Sequence, residues 1–181
     1  LWIRGRFLLE EIMAKFDILE DLKWRGAINQ ETDEEGLRKY LAEHDDLALY
    51  CGTDPTGDSL HIGHLIPFMI LKRFQMAGYH PVILIGGGTG AIGDPSGRKT
   101  ERTLQTAEQV KHNEEKLTAQ MKKLFGTENF EIRNNAEWLG KMNLLDFLRD
   151  YGKFFQVNNM INKDVVASRL ENGISFTEFS Y

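Results

Sequence analysis

The sequence predicts an α/β fold built on a doubly wound parallel sheet, and three observations lead to it. Two short apolar runs, at residues 47–52 and 81–86, are typical of buried strands. The segment between them has the length of a helix and ends at Gly78, a residue typical of helix ends. A strand, a helix and a strand without room for a hairpin favour a right-handed parallel crossover.

The other elements follow in chain order. Residues 15–46 contain two helical patterns of apolar residues, and Thr32-Asp-Glu-Glu is a capping sequence for the second. A polar amphipathic helix is predicted over residues 104–125, a third strand over 130–133 and a short helix over 143–152. The apolar positions of the first two helices are Phe16, Leu19, Leu22 and Trp24, and then Leu37, Tyr40 and Leu41.

Composition limits the classes of protein that remain. With 181 residues, of which 41% are apolar, the chain can bury one sizeable core, so one soluble unit is expected. A net charge of −5 argues against binding nucleic acid through a general positive field. Cys51 is the single cysteine, which excludes an internal disulfide and favours the cytoplasm. No run approaches the roughly 20 apolar residues that span a bilayer, so no membrane role is expected.

The first twelve residues are set apart from the fold. The chain opens on Leu1, and Met13 followed by Ala-Lys-Phe-Asp is typical of a natural start. Residues 1–12 are therefore predicted to be a vector-derived or upstream-translated extension, and residues 13–181 to form the domain.

The segment from Asp54 to His64 lies where the first strand meets the next helix, the edge at which open parallel sheets bind nucleotides. Asp58 or Ser59 is the predicted helix cap, which would leave backbone N–H groups for phosphate. Gly63 leaves space for a flat base.

His61 and His64 share a helical face, so they fit a nucleotide site, but a capping or surface pair explains them too. A metal site is disfavoured because no nearby Cys or carboxylate completes a ligand set. Pro67 predicts irregular first turns.

Three blocks of sequence in order carry a family resemblance. Tyr50-Cys-Gly-Thr-Asp-Pro-Thr-Gly-Asp-Ser-Leu-His-Ile-Gly-His64 is similar to the class I aminoacyl-tRNA synthetase signature in its tyrosyl form. Gly93-Asp-Pro-Ser-Gly97 with Glu101-Arg-Thr103, and the segment from Gly173 to Tyr181, resemble two further tyrosyl-family blocks. The resemblance implies a Rossmann-like nucleotide-binding domain, truncated before the family's Lys-Met-Ser-Lys-Ser loop. It also implies the activation of tyrosine by ATP with Mg²⁺ and its transfer to tRNA(Tyr), in a cytoplasmic homodimer without a tightly bound cofactor.

The family implies a role for each matching position. Thr56 and His61 would hold the γ-phosphate of ATP, His64 and Cys51 the ribose side and Gly63 the adenine. Gly52 would also contact the nucleotide, and Asp54 would contact the nucleotide and the amino acid near the reacting centre. Tyr50 would bind the phenol of tyrosine, Asp94 and Tyr181 its α-ammonium group, and Arg98 and Arg102 the departing pyrophosphate or the tRNA end. Phe176 would lie at the dimer interface, while Asn135 and Trp138 match the family without an assigned role.

Several of these residues also have structural explanations. Cys51 fits a small hydrophobic residue at a strand end, and Asp94 fits the first position of an Asp-Pro turn. Residues 98–102 fit a solvated loop, and Phe176 fits the core.

Three other functions also fit the sequence. A tryptophanyl relative shares the fold and the reaction, although Tyr50 and the Gly-Asp-Pro-Ser block favour tyrosine. An adenylyltransferase for a phosphorylated metabolite also uses histidines at a strand-to-helix junction, but would leave the Ile174–Tyr181 block unexplained. A nucleotide-binding fragment without turnover is the third alternative.

Overall fold

The structure is a computed structural model, and it describes residues 17–93, 104–170 and 173–181. It contains three strands, β1 Ala48–Thr53, β2 His80–Ile85 and β3 Glu131–Asn134, among helices. The helices are α1 Ile18–Trp24, α2 Glu34–Glu43, α3 Ile62–Met76, α4 Gly87–Gly90, α5 Ala107–Phe125, α6 Ala136–Leu139, α7 Leu144–Asp146, α8 Val157–Ile161, α9 Asp164–Leu170 and α10 Phe176–Phe179. Between α7 and α8 the chain forms a π-helical turn, Phe147–Tyr151, and a 3₁₀ turn, Gly152–Phe154.

The three strands form one parallel sheet in the order β1-β2-β3. At the start of the first pair the His80 N–H donates to the Leu47 carbonyl at 3.0 Å, and at its end the Gly86 N–H donates to the Thr53 carbonyl at 2.9 Å. Both strands therefore advance together, as parallel strands must. The prediction of an α/β fold with a parallel sheet is confirmed.

The chain divides into two compact units, and among the described residues the first comprises 17–51, 61–83 and 124–131. Its core consists of side chains from α1, α2 and α3 and of Tyr79, which follows α3. The Tyr79 hydroxyl donates to the Leu41 carbonyl at 3.2 Å, and the Tyr79 ring meets the Phe74 ring edge-on. The buried residues of this core are Ile18, Leu19, Leu22, Leu41, Phe74 and Tyr79.

Among the described residues, the second unit comprises 52–60, 84–93, 104–123, 132–170 and 173–181. Here α5 fixes the loop that follows β1. The buried Asn113 amide donates to the Pro55 carbonyl at 2.9 Å. Gln120 accepts from the Leu60 N–H at 3.1 Å and donates to the Asp58 carbonyl at 3.1 Å. Three hydrogen bonds from one helix therefore position this loop.

Some predictions about burial are wrong. Residues along β1 alternate between half-buried and exposed, so β1 is not a fully buried strand. Within the described residues it lies at an edge of the sheet, and an edge strand is covered less than a central one. Trp24, Leu37 and Tyr40 are exposed because the core uses only part of each helix, Leu41 being the buried residue of α2.

Helix boundaries also differ from expectation in places. α3 runs through Pro67 without a break, contrary to the predicted irregular turns. Residues 143–152 form a short helix followed by a π-helical turn, and the α4, α6, α8 and α9 segments were not predicted. Within the described ranges, no helix combines the length and the apolar character needed to cross a membrane.

Candidate active site

The first unit places His61 and His64 side by side at the start of α3. The two imidazole rings stack with their centroids 3.8 Å apart. His61 Nδ1 accepts the Gly63 N–H at 3.1 Å, and His64 Nδ1 accepts the His61 N–H at 3.3 Å. The histidines therefore cap the helix reciprocally, as a Ser/Glu capping box would.

This geometry corrects the predicted cap. Neither Asp58 nor Ser59 caps α3, because the helix begins at Ile62 and its N-cap is His61. The Asp58 carbonyl instead accepts from Gln120, and the Ser59 hydroxyl donates to the Leu60 carbonyl at 3.3 Å. Two of the backbone N–H groups expected to face phosphate are thus already bonded to imidazole nitrogens.

The same bonds decide which histidine nitrogen is available as a donor. Both Nδ1 atoms accept, so each neutral ring carries its proton on Nε2. Burial, and then the neighbouring His61, lower the pKa of His64 below its ordinary value, which favours the neutral ring at pH 7. The pair therefore offers Nε2–H donors to an oxygen-rich ligand. No group of three or more potential metal ligands occurs within the described part of the chain.

Gly63, Tyr50 and Cys51 also belong to the first unit. A Cβ on Gly63 would lie 3.0 to 3.1 Å from the His61 ring. The absence of a side chain at Gly63 therefore leaves room for the imidazole of His61 to cap the helix. The Tyr50 side chain on β1 is 72% exposed. Cys51 is half-buried, and burial raises the pKa of its thiol, which keeps it protonated and suits orientation more than nucleophilic attack.

In the second unit Asp54 joins two distant parts of the chain. Its Oδ1 accepts the Thr89 hydroxyl at 2.8 Å, and its Oδ2 accepts the Tyr181 hydroxyl at 2.9 Å. The structure thus brings together two of the predicted site residues, Asp54 and Tyr181. A carboxylate beside a phenol oxygen is a suitable environment for an ammonium group.

Glycines make this arrangement possible. A Cβ on Gly86 would lie 1.9 Å from Asp54 Oδ1 and 2.6 Å from Thr89 Oγ1. A Cβ on Gly90 would lie 2.8 Å from Pro55 Cδ. The glycine-rich turn after β2 therefore packs directly against the Asp54-Pro55 segment, and larger residues would displace it.

Thr56 lies beside an open cleft of about 480 Å³ between its own loop and the start of α5. The Thr56 N–H donates to the Asp54 carbonyl at 2.9 Å, and its carbonyl accepts the Gln105 amide at 3.0 Å. Its backbone is therefore fixed, while the residue is exposed. Gly52 lies near the end of β1. A Cβ on Gly52 would lie 3.6 Å from the Leu84 carbonyl oxygen, which is an ordinary van der Waals contact.

Three predicted site residues, Asp94, Arg98 and Arg102, lie outside the described residues. Phe176, predicted at a dimer interface, is 79% exposed, so core packing within the described chain does not explain it. Sequence reasoning also missed Thr89 and gave Asn135 no role, although both contact the Asp54 site through hydrogen bonds. The available signals were their positions in the Gly86-Gly-Gly-Thr-Gly90 and Asn134-Asn-Ala-Glu-Trp138 segments.

Comparison with known proteins decides the family. Residues 42–181 match the family described as tRNA synthetases class I (W and Y). This chain belongs to the class I tRNA synthetases of that group. The synthetase chain is 96% identical over 169 residues to the tyrosine–tRNA ligase of Lactobacillus helveticus, a match that covers 93% of this chain and 40% of the relative. The chain therefore spans about two fifths of the length of that curated relative.

Solved structures agree with this assignment of the synthetase chain. A C-terminally truncated mitochondrial tyrosyl-tRNA synthetase from Aspergillus nidulans is similar with a TM-score of 0.80 and 31% identity, covering 94% of this chain and 52% of that one. The Plasmodium falciparum tryptophanyl-tRNA synthetase shares the fold, with a TM-score of 0.64 and 20% identity over 88% of this chain and 41% of that one. The Rossmann-like catalytic domain implied by the sequence resemblance is confirmed.

Proposed function

We propose that this chain is the part of a tyrosine–tRNA ligase that activates tyrosine with ATP before its transfer to tRNA(Tyr). The observation that carries the proposal is the 96% identity over 169 residues to a relative named tyrosine–tRNA ligase. At this identity very few residues of the matched segment differ between the two proteins, so few positions could change the substrate preference. The contact between Asp54 and Tyr181 supports it, because the family resemblance assigns both residues to the reacting end of the substrates.

In the proposed reaction the carboxylate of tyrosine attacks the α-phosphorus of ATP in line. The bond from that phosphorus to the bridging oxygen breaks, and pyrophosphate leaves with the electron pair. No protein nucleophile takes part, so catalysis depends on positioning and on stabilising the charge of the leaving group. ATP enters as its Mg²⁺ complex, and the tyrosyl group then passes to the 3′ end of the tRNA.

The stacked histidines are proposed to bind ATP. The family resemblance assigns the γ-phosphate of ATP to His61 and to Thr56, and the ribose side to His64 and Cys51. The reciprocal cap occupies both Nδ1 atoms as acceptors, so each neutral ring presents its Nε2–H as the donor. Hydrogen bonds from preorganised donors strengthen as charge develops on the leaving oxygens.

The remaining roles follow the family. Tyr50 would contact the substrate phenol, and Asp94 and Tyr181 the α-ammonium group, while Gly52, Asp54 and Gly63 would contact the nucleotide. Arg98 and Arg102 would neutralise the departing pyrophosphate or bind the tRNA end.

The decisive experiment is the exchange of labelled pyrophosphate into ATP, with tyrosine, with tryptophan and without an amino acid. It is run on the 181-residue chain and on a chimera in which the part of the Lactobacillus helveticus relative beyond the matched segment follows Tyr181. Tyrosine-dependent exchange by the chimera is the expected result. Exchange with tryptophan instead, or exchange without any amino acid, would contradict the proposal and favour a tryptophanyl enzyme or an adenylyltransferase.

We also propose that the protein forms a homodimer. Support comes from large apolar side chains in the second unit that are exposed within the described chain. Phe154 is 75% exposed, Leu145 is 74% exposed and Phe176 is 79% exposed. Sedimentation of the chimera should give a dimer that Phe176→Glu shifts toward monomer, whereas a wild-type chimera that is monomeric at micromolar concentration would refute the dimer.

A further inference from the structure

A chain of hydrogen bonds leads from the backbone of α4 to the carboxylate of Asp54. The Gly88 N–H donates to Asn135 Oδ1 at 2.7 Å. Asn135 Nδ2 donates to Thr89 Oγ1 at 3.0 Å. Thr89 Oγ1 then lies 2.8 Å from Asp54 Oδ1. All four residues belong to the second unit.

The direction of this chain is fixed at both ends. A backbone N–H can only donate, so the oxygen of the Asn135 amide faces Gly88 and its nitrogen faces Thr89. Because that nitrogen donates to Thr89 Oγ1, the hydroxyl proton of Thr89 must be given to another acceptor. The Asp54 carboxylate at 2.8 Å is a charged and closer acceptor than the Gly86 carbonyl at 3.4 Å.

Asn135, near the start of this series of hydrogen bonds, is held rigidly. Asn135 is only 7% exposed, and its own N–H donates to the Ile85 carbonyl at the end of β2 at 3.0 Å. A buried amide with both ends bonded has a single favourable orientation, since any rotation would leave buried polar atoms without partners. Asn135 is therefore fixed relative to the end of β2, and its amide in turn fixes the position of the Thr89 hydroxyl.

We propose that Asn135 and Thr89 are positioning residues that orient the Asp54 carboxylate for tyrosine activation. The inference rests on the proposed function. Thr89 holds Oδ1 and Tyr181 holds Oδ2, so the plane of the carboxylate is set from two sides. Loss of either the Asn135 amide or the Thr89 hydroxyl lets the carboxylate rotate, and a reaction that depends on positioning then slows.

The test compares four substitutions in the chimera. Asn135→Ala and Thr89→Val should each lower kcat for tyrosine-dependent exchange about tenfold, the effect of one oriented hydrogen bond, with a smaller change in KM. Thr89→Ser keeps the hydroxyl and should restore most of the activity. Asn134→Ala is the matched control, because Asn134 Oδ1 accepts the Ala136 N–H at 2.9 Å and makes no bond to Thr89 or Asp54.

Two further readouts separate positioning from folding. The double variant Asn135→Ala with Thr89→Val should be no slower than Thr89→Val alone, because the residues act in series. The ¹³C resonance of the Asp54 carboxyl carbon should move in Asn135→Ala and stay in place in Asn134→Ala.

Several results would overturn the inference. One is an equal loss of kcat in Asn135→Ala and Asn134→Ala. Another is a Thr89→Ser variant as slow as Thr89→Val, and a third is a loss of kcat in the double variant that equals the two single losses combined. If the unsubstituted chimera shows no tyrosine-dependent exchange, the proposed function fails. In that case an Asp54 resonance that does not respond to Asn135→Ala overturns the positioning role, and one that responds supports the hydrogen-bond chain itself.

Discussion

Replacing Arg169 by methionine removes one partner of a buried ion pair that joins α9 to α10. Two parallel hydrogen bonds connect the side chains, from Arg169 Nη1 to Glu178 Oε1 at 3.0 Å and from Nη2 to Oε2 at 2.9 Å. The side chains are 5% and 2% exposed. Glu178 lies three positions before Tyr181, so the pair also anchors the segment that delivers the Tyr181 hydroxyl to Asp54.

The expected cost follows from what is left behind. Without Arg169 the Glu178 carboxylate stays buried and unpaired, which typically destabilises a protein by about 3–5 kcal/mol. For a chain of this size that corresponds to a fall in Tm of roughly 6–20 °C. Replacing both residues, as Arg169→Met with Glu178→Leu, should cost much less, because no charge remains buried. That double change also removes Arg169 Nε, which has no hydrogen-bond partner within the described residues.

The assay is thermal and urea unfolding followed by circular dichroism, on the two single variants and the double variant. Arg149→Met is the matched control, because Arg149 pairs with Asp150 at 2.8 Å while its side chain is 70% exposed. An exposed pair contributes about 0–1 kcal/mol, so the control should unfold almost as the parent does. Equal effects of Arg169→Met and Arg149→Met, or a double variant as unstable as the two single changes combined, would refute the reasoning.

Two further predictions concern the candidate site. Gly86→Ala should lower tyrosine-dependent exchange at least about tenfold while the chimera still folds, since its Cβ would lie 1.9 Å from Asp54 Oδ1. Gly57→Ala, whose Cβ meets nothing within 4 Å, should have little effect, and comparable losses in both would contradict the steric explanation. The second prediction concerns pH. Because the pKa of His64 is lowered, the unfolded state takes up a proton more readily, so unfolding free energy should fall as pH drops below about 6.5. His64→Asn keeps an acceptor for the His61 N–H and removes the titration, so urea unfolding from pH 7.5 to 5.5 should show a smaller slope, and an unchanged slope would exclude His64 as the cause.

Local sequence signals predicted the main elements well because each depends on a few neighbouring residues. Apolar runs located β1 and β2, and Gly78, with a φ of +94°, ends α3 as expected. The cap of α3 was missed for a local reason too. Asp and Ser are common caps, whereas the imidazole Nδ1 of His61 takes this role only because His64 completes a reciprocal pair.

The Asp54 site could be predicted only in part. The motif from Tyr50 to His64 identifies Asp54, and the block ending at Tyr181 identifies its partner. Nothing in either motif indicates that Thr89 bonds the Asp54 carboxylate and that Asn135 bonds Thr89, because these contacts join residues that lie 35 and 46 positions apart. Side chains so distant in sequence leave no periodic pattern that links them.

The sequence by itself determined the α/β class, the family and the chemical types available at the site. These properties depend on short motifs and on the order of apolar strand segments and helical segments along the chain. Both signals are local. Only the tertiary structure decided that the two histidines stack and cap α3, that β1 is partly exposed, and that hydrogen bonds connect Asn135 to Asp54 through Thr89. Burial and hydrogen-bond direction depend on which segments the fold packs together, and that packing is a property of the whole chain.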